Sequence, residues 1–173
     1  MPRLVISCSL DPDSRSRLMA RRAVTHLEQA GQAVDWLDLQ ETPLPLCDGS
    51  SVYDDEGVHS VAERIRNAAG ILVAAPVYNF DVNAAAKNLL ELTHKAWEQQ
   101  VVGFLLAAGG QSSYMSVMGF ANSLMLDYRC LILPKFVYAT GQAFHGEDVS
   151  DPIIDSRITE LADTLIRVAD ALR

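Results

Sequence analysis

Two runs in this 173-residue chain, residues 71–75 (Ile-Leu-Val-Ala-Ala) and 101–108 (Val-Val-Gly-Phe-Leu-Leu-Ala-Ala), contain no polar side chain. A strand with one face in water alternates apolar and polar residues, so a run without alternation is covered on both faces. That is the condition of central strands in a parallel sheet packed between two layers of helices. Each run is bounded by a helix-stop or turn signal, Gly70 before the first and Gly109-Gly110 after the second.

The remaining chain supplies the flanking elements. Residues 3–8 read as a first strand and 14–30 as a helix, with Ala20, Ala23, Val24, Leu27 and Ala30 at helical spacing and Gly31 as its stop. Residues 33–39 read as a second strand, followed by a Pro-containing loop over 40–53. A helix starts near Asp54-Asp55-Glu56, whose charges suit a helix N-terminus, and presents Val58, Val61, Ala62, Ile65 and Ala69. Further helices are predicted over 83–97 and 114–128, with a last strand over 131–139 that Pro134 interrupts. Asp151-Pro152 caps and begins a C-terminal helix with a stripe of Ile154, Ile158, Leu161, Ala162, Leu165, Ala169 and Leu172. Strands and helices in strict alternation predict one α/β domain over 1–173, doubly wound, with helices on both faces of the sheet.

Charge and cysteine content narrow the partners. The net charge of -8, from 14 basic and 22 acidic residues without a dense Lys/Arg run, argues against a nucleic-acid binder. Cys8, Cys47 and Cys130 form no C-x-x-C or Cys/His spacing, so reduced thiols and no metal site are expected. His26, His59, His94 and His145 do not cluster in sequence. The N-terminus runs straight into a strand pattern and no stretch is long enough to span a membrane, so a cytoplasmic protein with no membrane partner is expected.

In doubly wound folds ligands bind outside the carboxyl ends of the strands, which directs attention to three loops. The first, 9–17 (Ser-Leu-Asp-Pro-Asp-Ser-Arg-Ser-Arg), leads a strand into a helix start, where free amides and the helix dipole favour an anion. Ser9, Ser14 and Ser16 add hydroxyl donors and Arg15 or Arg17 a charge; simple capping by Ser14 is the alternative reading. Neither G-x-x-x-x-G-K nor G-x-G-x-x-G is present. The second loop, Pro76-Val77-Tyr78-Asn79-Phe80-Asp81, begins with a proline expected to close the strand. It then offers an aromatic side chain, an amide and exposed backbone, which suit a flat heteroaromatic ring, although a turn with a packed tyrosine would look the same. The third, Gly109-Gly110-Gln111, allows backbone to approach a ligand closely.

Together these loops resemble the NAD(P)H-dependent FMN reductases, a branch of the flavodoxin-like fold. The family's G-S-L-R-x-x-S-x-N loop is matched by Ser9, Leu10 and Ser14, and its P-x-Y-N…K-N motif by Pro76, Tyr78, Asn79, Lys87 and Asn88. The chain departs from it at Asp11, where the family has arginine, at Ser16, at Asp81 and at Asn83-Ala84. The resemblance implies a five-stranded parallel sheet of order 2-1-3-4-5 and FMN as cofactor. It implies that Ser9, Ser14, Arg15 and Ser16 hold the phosphate, that Pro76, Val77, Tyr78, Asn79 and Phe80 line the ring, and that Gly109, Gly110 and Gln111 meet its opposite edge. No protein side chain is then expected to be catalytic, because the flavin carries the chemistry. The implied activity takes hydride from NADPH or NADH and passes electrons to a flavin, quinone, azo or nitro compound, in a homodimer or homotetramer. A flavodoxin-type electron carrier and a flavodoxin-like domain without cofactor are the rivals.

Overall fold

A computed structural model describes residues 1–172. The apolar runs are the centre of its sheet. Strand β1 (Arg3–Ser7) lies between β2 (Val34–Asp38) and β3 (Ile71–Tyr78), and β3 pairs in turn with β5 (Val101–Ala108), all in parallel. Alternate residues of each strand serve different faces. Leu4, Ile6, Ile71, Val73, Ala75, Val102, Phe104 and Leu106 meet α2 (Glu56–Arg66), α3 (Ala84–Thr93) and α4 (Met118–Tyr128). Val5, Leu72, Ala74, Leu105 and Ala107 meet α1 (Arg15–Gln29) and α5 (Pro152–Ala171). The three-layer, doubly wound architecture expected of the flavodoxin-like class is therefore present.

The sheet has seven strands instead of the expected five. Pro134 has no amide to donate and Lys135 takes a left-handed φ of 57°, so the last run divides into β6 (Leu131–Ile132) and β7 (Val137–Thr140). Both pair with β5, so the spatial order 2-1-3-4-5 survives with its last position split. The seventh strand is β4 (Asp81–Val82), which folds back antiparallel on the end of β3. Pro76 does not close β3 as expected. The β1 pairing stops at Ala74, so no β1 residue remains opposite the missing N–H of Pro76, and the strand continues to Tyr78.

Two helices are shorter than the periodicity suggests. The stretch 83–97 breaks at His94 (φ 41°) into α3 and a 3-10 turn, His94–Trp97. The break returns Trp97 to the core, fully buried, with its indole N–H donating to Thr93 Oγ1 at 2.7 Å. The fourth helix begins at Met118 after a 3-10 turn at Gln111–Ser113. A hairpin of β8 (Phe144–His145) and β9 (Asp148–Val149) precedes α5. Among the described residues no helix is long and apolar enough to cross a membrane.

The layer of α1 and α5 is tied by Asp155, which receives hydrogen bonds from Arg22 Nε and Nη2 and lies 3.3 Å from His26 Nε2. The hydrogen bond from Arg22 above all holds the Asp155 carboxyl down to about 2 from an ordinary 3.8. A carboxylate whose folded pKa is depressed adds stability that is complete above its unfolded value and lost as pH falls through the folded one. Asp155→Asn is therefore expected to unfold at lower urea than the parent near neutral pH, with the difference closing between about pH 4 and about pH 2. A difference that stays constant across that window would show that this ion pair does not stabilise the fold.

Candidate functional site

The carboxyl ends of β1, β3 and β5 surround a cavity of about 330 Å³. Its walls are Ser9, Asp11, Asp13, Ser14, Arg15 and Ser16 on one side, Pro76, Val77 and Tyr78 on another, and Ala107, Ala108 and Gly109 opposite. The cavity lies where the chain leaves β1 for β2 on one side while β3 continues the sheet on the other, which is the switch point of a doubly wound sheet. Eight of the twelve residues singled out in the sequence line it; Asn79, Phe80, Gly110 and Gln111 stand just outside.

The first wall is the start of α1, where free amides could receive an anion. Ser14 is the N-cap of α1, accepting the Arg17 amide at 3.3 Å, and its hydroxyl lies 2.9 Å from that of Ser16. The amides of Arg15 and Ser16, first in the helix, have no intrahelical acceptor. Ser9, almost fully buried, accepts the Asp11 amide at 3.2 Å and keeps its own hydroxyl hydrogen free to donate. The capping read from the sequence is present at Ser14, and the same residue lines the cavity.

Arg17 carries that arrangement without entering the cavity. It is buried, and all three guanidinium nitrogens are engaged. Nε and Nη2 donate to Asp38 at 2.6 and 3.2 Å, Nη2 also to the Ser9 carbonyl at 2.9 Å, and Nη1 to the carbonyls of Pro12 at 3.0 Å and of Asp11. Loop carbonyls that would repel an anion are held on the guanidinium instead. Asp38, the last residue of β2 and itself buried, anchors the clamp. Arg17 therefore supplies no free charge to the cavity. Arg15 lines the cavity, but its guanidinium lies against Gly141, where a Cβ would fall 2.8 Å from Nη1, and 6.0 Å from the Phe144 ring centre, residues outside the lining.

The other two walls differ: one carries Pro76, Val77 and the exposed Tyr78, the other the small residues Ala107, Ala108 and Gly109. A Cβ added to Gly109 would meet nothing within 4 Å, so the glycine leaves open space on the cavity side. Tyr138, on β7, donates to the Gly110 carbonyl and pairs with the Ser113 hydroxyl at 2.7 Å, fixing this loop from behind. Asn83 fixes the second wall: its backbone amide donates to the Pro76 carbonyl at 3.1 Å and its side chain to the Cys8 carbonyl at 2.7 Å, tying the ends of β1 and β3. Asn88, matched to the family motif, braces the loop after β2 through Cys47 and Pro45. Two carboxylates stand at the anion end. Asp11 turns one oxygen onto the Asp13 amide at 3.0 Å, which explains a local use for the residue that replaces the family's arginine. Burial pushes the Cys8 thiol up, and the Cys130 thiol to about 11, so neither is a thiolate near neutral pH. His145 is exposed on β8 and outside the cavity.

Sequence reasoning missed the clamp role of Arg17 and the parts played by Asp38, Asn83 and Tyr138. One signal was available: Arg17 falls at helical spacing with the buried Ala20 and Leu27, and a charge on the apolar stripe requires a buried partner.

The cavity's serine-lined helix start, with a wall bearing Tyr78 opposite one of small residues, fits a phosphate joined to a planar ring. The sequence matches the NADPH-dependent FMN reductase family over residues 1–145, and the chain belongs to that family of flavin oxidoreductases. Among its relatives is an NAD(P)H-dependent FAD/FMN reductase of Geobacillus thermodenitrificans, 24% identical over 144 residues, covering 81% of this chain and 77% of the relative. A quinone reductase of Escherichia coli is 29% identical over 106 residues, covering 54% of this chain and 55% of the other. The fold is shared with FerB, a flavoenzyme NAD(P)H:(acceptor) oxidoreductase from Paracoccus denitrificans, at a TM-score of 0.79 and 17% identity, covering 97% and 96% of the two chains.

Arg17→Leu leaves the buried Asp38 carboxylate unpaired and is expected to cost roughly 3–5 kcal/mol in urea unfolding. The Arg17→Leu/Asp38→Leu double variant should recover a large part of that loss. A single-variant cost below about 1 kcal/mol would show that the clamp does not hold the loop.

Proposed function

We propose that this chain is an FMN-dependent oxidoreductase that takes electrons from NADPH or NADH and delivers them to a small-molecule acceptor, with the cofactor seated in the cavity at the carboxyl ends of β1, β3 and β5. The observation that carries the reading is the meeting, in one cavity, of an open helix start, a wall bearing Tyr78 and a wall of small residues. Bound FMN supplies the capacity to accept and release a hydride. The chain's own contribution is binding and electrostatics. The hydroxyls of Ser9, Ser14 and Ser16, the amides of Arg15 and Ser16, and the Arg15 guanidinium receive the phosphate. Pro76, Val77 and Tyr78 bear on the ring, with Asn79 and Phe80 beyond them. Gly109, followed by Gly110 and Gln111, faces the opposite edge, where backbone amides oppose negative charge.

Quinones, flavins and azo or nitro compounds are the acceptor class, in keeping with the quinone reductase among the relatives. Exposed Tyr114, Met115, Met118 and Leu126 on and before α4 support association into a homodimer or homotetramer. A cytoplasmic setting is part of this reading; among the described residues no helix is long and apolar enough to cross a membrane. Asp11 and Asp13 oppose the phosphate and make the cofactor less tightly held than a loop bearing arginine would.

Titration of the purified protein with FMN, followed by flavin fluorescence, is expected to saturate, and the loaded protein is expected to oxidise NADPH when a quinone is supplied. Ser9→Asp should weaken FMN binding, whereas Asp11→Arg should tighten it by roughly three- to tenfold through removal of one repulsion and addition of one attraction. No saturable FMN binding would refute the proposal. Binding without NAD(P)H oxidation would favour an electron carrier.

A further inference from the structure

Gly141 is a glycine without a backbone reason. Its φ lies outside the left-handed region, so its conformation is open to any residue. What it lacks is room for a side chain: the three atoms nearest to an added Cβ are Nη1, Cζ and Nη2 of Arg15, at 2.8, 3.2 and 3.4 Å. The glycine is therefore a seat for a guanidinium. Phe144 completes the seat, its ring centre 6.0 Å from the same Cζ. The seat itself is firm. Phe144 packs against the core between the sheet and the layer of α1 and α5, and it pairs with Val149 across the β8–β9 hairpin. The amides of Ser150 and Asp151 both donate to the neighbouring Ala143 carbonyl, at 2.9 and 3.2 Å.

The side chain on that seat is free to leave. Arg15 is exposed, and among the described residues its guanidinium has no hydrogen bond or ion pair, although Asp11 and Asp13 stand on the same cavity wall. Arg17, two residues on, has every guanidinium nitrogen engaged. A guanidinium held by a ring face alone is held by a contact worth roughly two- to fivefold in an equilibrium constant. A charge-assisted hydrogen bond to a phosphate is worth roughly tenfold or more. Arg15 is rooted at the first position of α1 and lines the cavity, so rotation about its own side-chain bonds exchanges the weaker contact for the stronger.

We infer that Arg15 is a strap held in reserve by Gly141 and Phe144, which leaves this seat to close on the phosphate of a bound flavin and so sharpens the preference for FMN over riboflavin. The inference rests on the cofactor reading above. The strap and its seat form a two-state pair. Whatever weakens the seat tightens a phosphorylated ligand, and an unphosphorylated one is indifferent to the change.

Fluorescence titrations of the full chain with FMN and with riboflavin test the inference independently of turnover. Gly141→Ala and Phe144→Leu, which unseat the guanidinium, should each tighten FMN by roughly two- to fivefold and leave riboflavin unchanged. Gly141→Ala displaces only the far end of a flexible side chain, so it decides the matter where the two variants disagree. Arg15→Gln should weaken FMN roughly tenfold or more and leave riboflavin unchanged. Combined with Gly141→Ala, it should abolish the gain. FMN affinity that is unchanged or weaker in Gly141→Ala overturns the inference, as does a gain that persists in the Arg15→Gln background. A gain shared equally by riboflavin also overturns it, because the effect then lies away from the phosphate. A parent that binds neither flavin sinks this inference together with the cofactor reading; a parent that binds FMN with an affinity that unseating Arg15 does not alter sinks this inference alone.

Discussion

The buried pair of Arg17 and Asp38 is the interaction on which the candidate site depends. A loop between a strand and a helix exposes carbonyls as well as amides, and an anion is drawn to one and repelled by the other. Arg17 resolves the conflict by collecting the carbonyls of Ser9, Asp11 and Pro12, while Asp38 neutralises and orients the guanidinium from the end of β2. Because both partners are buried, neither can be lost without leaving the other uncompensated in a poorly solvated place. The hydroxyls of Ser9, Ser14 and Ser16 are then carried by a loop whose backbone the clamp already holds. A chain of net charge -8 has no favourable long-range field for a phosphate, so this local preorganisation has to take its place.

The framework around the loop was legible because burial on both faces leaves a plain mark. The runs at 71–75 and 101–108 could be little else than central strands, and the caps at Ser14, Asp55 and Asp151 stand where hydrogen-bonding side chains precede apolar periodicity. What was not legible depends on contacts distant in sequence or on proline and left-handed residues. Pro76 reads as a terminator until the neighbouring β1 is known to have ended. The interruption of residues 131–139 is readable at Pro134, but the left-handed Lys135 that completes the break is invisible in its identity. The break at His94 exists to bring Trp97 back to Thr93, a packing demand that helical periodicity does not express.

The convergence of the candidate residues was readable in outline. Eight of the proposed residues converge on one cavity, and the resemblance that selected them is matched by membership of the NADPH-dependent FMN reductase family. The residues that stand outside, Asn79, Phe80, Gly110 and Gln111, follow the lining residues in sequence but leave the wall as the chain turns away. Supporting residues such as Asn83 and Tyr138 escaped notice because their task is to hold other backbone, and nothing in a side chain's identity announces which distant carbonyl it will meet. Asp11 illustrates the opposite case. Its identity departs from the family's arginine, yet its carboxylate organises the loop by accepting the Asp13 amide.

The central claim is that FMN lies with its phosphate on the start of α1 and its ring between the ends of β3 and β5. A crystal structure of the FMN complex tests it most directly. The account predicts phosphate oxygens within hydrogen-bond distance of the Arg15 and Ser16 amides and of the Ser9 hydroxyl, the ring between Tyr78 and Gly109, and the Arg17–Asp38 pair unmoved. A phosphate bound anywhere else on the chain, or an Arg17 released from Asp38 to reach it, would contradict the account.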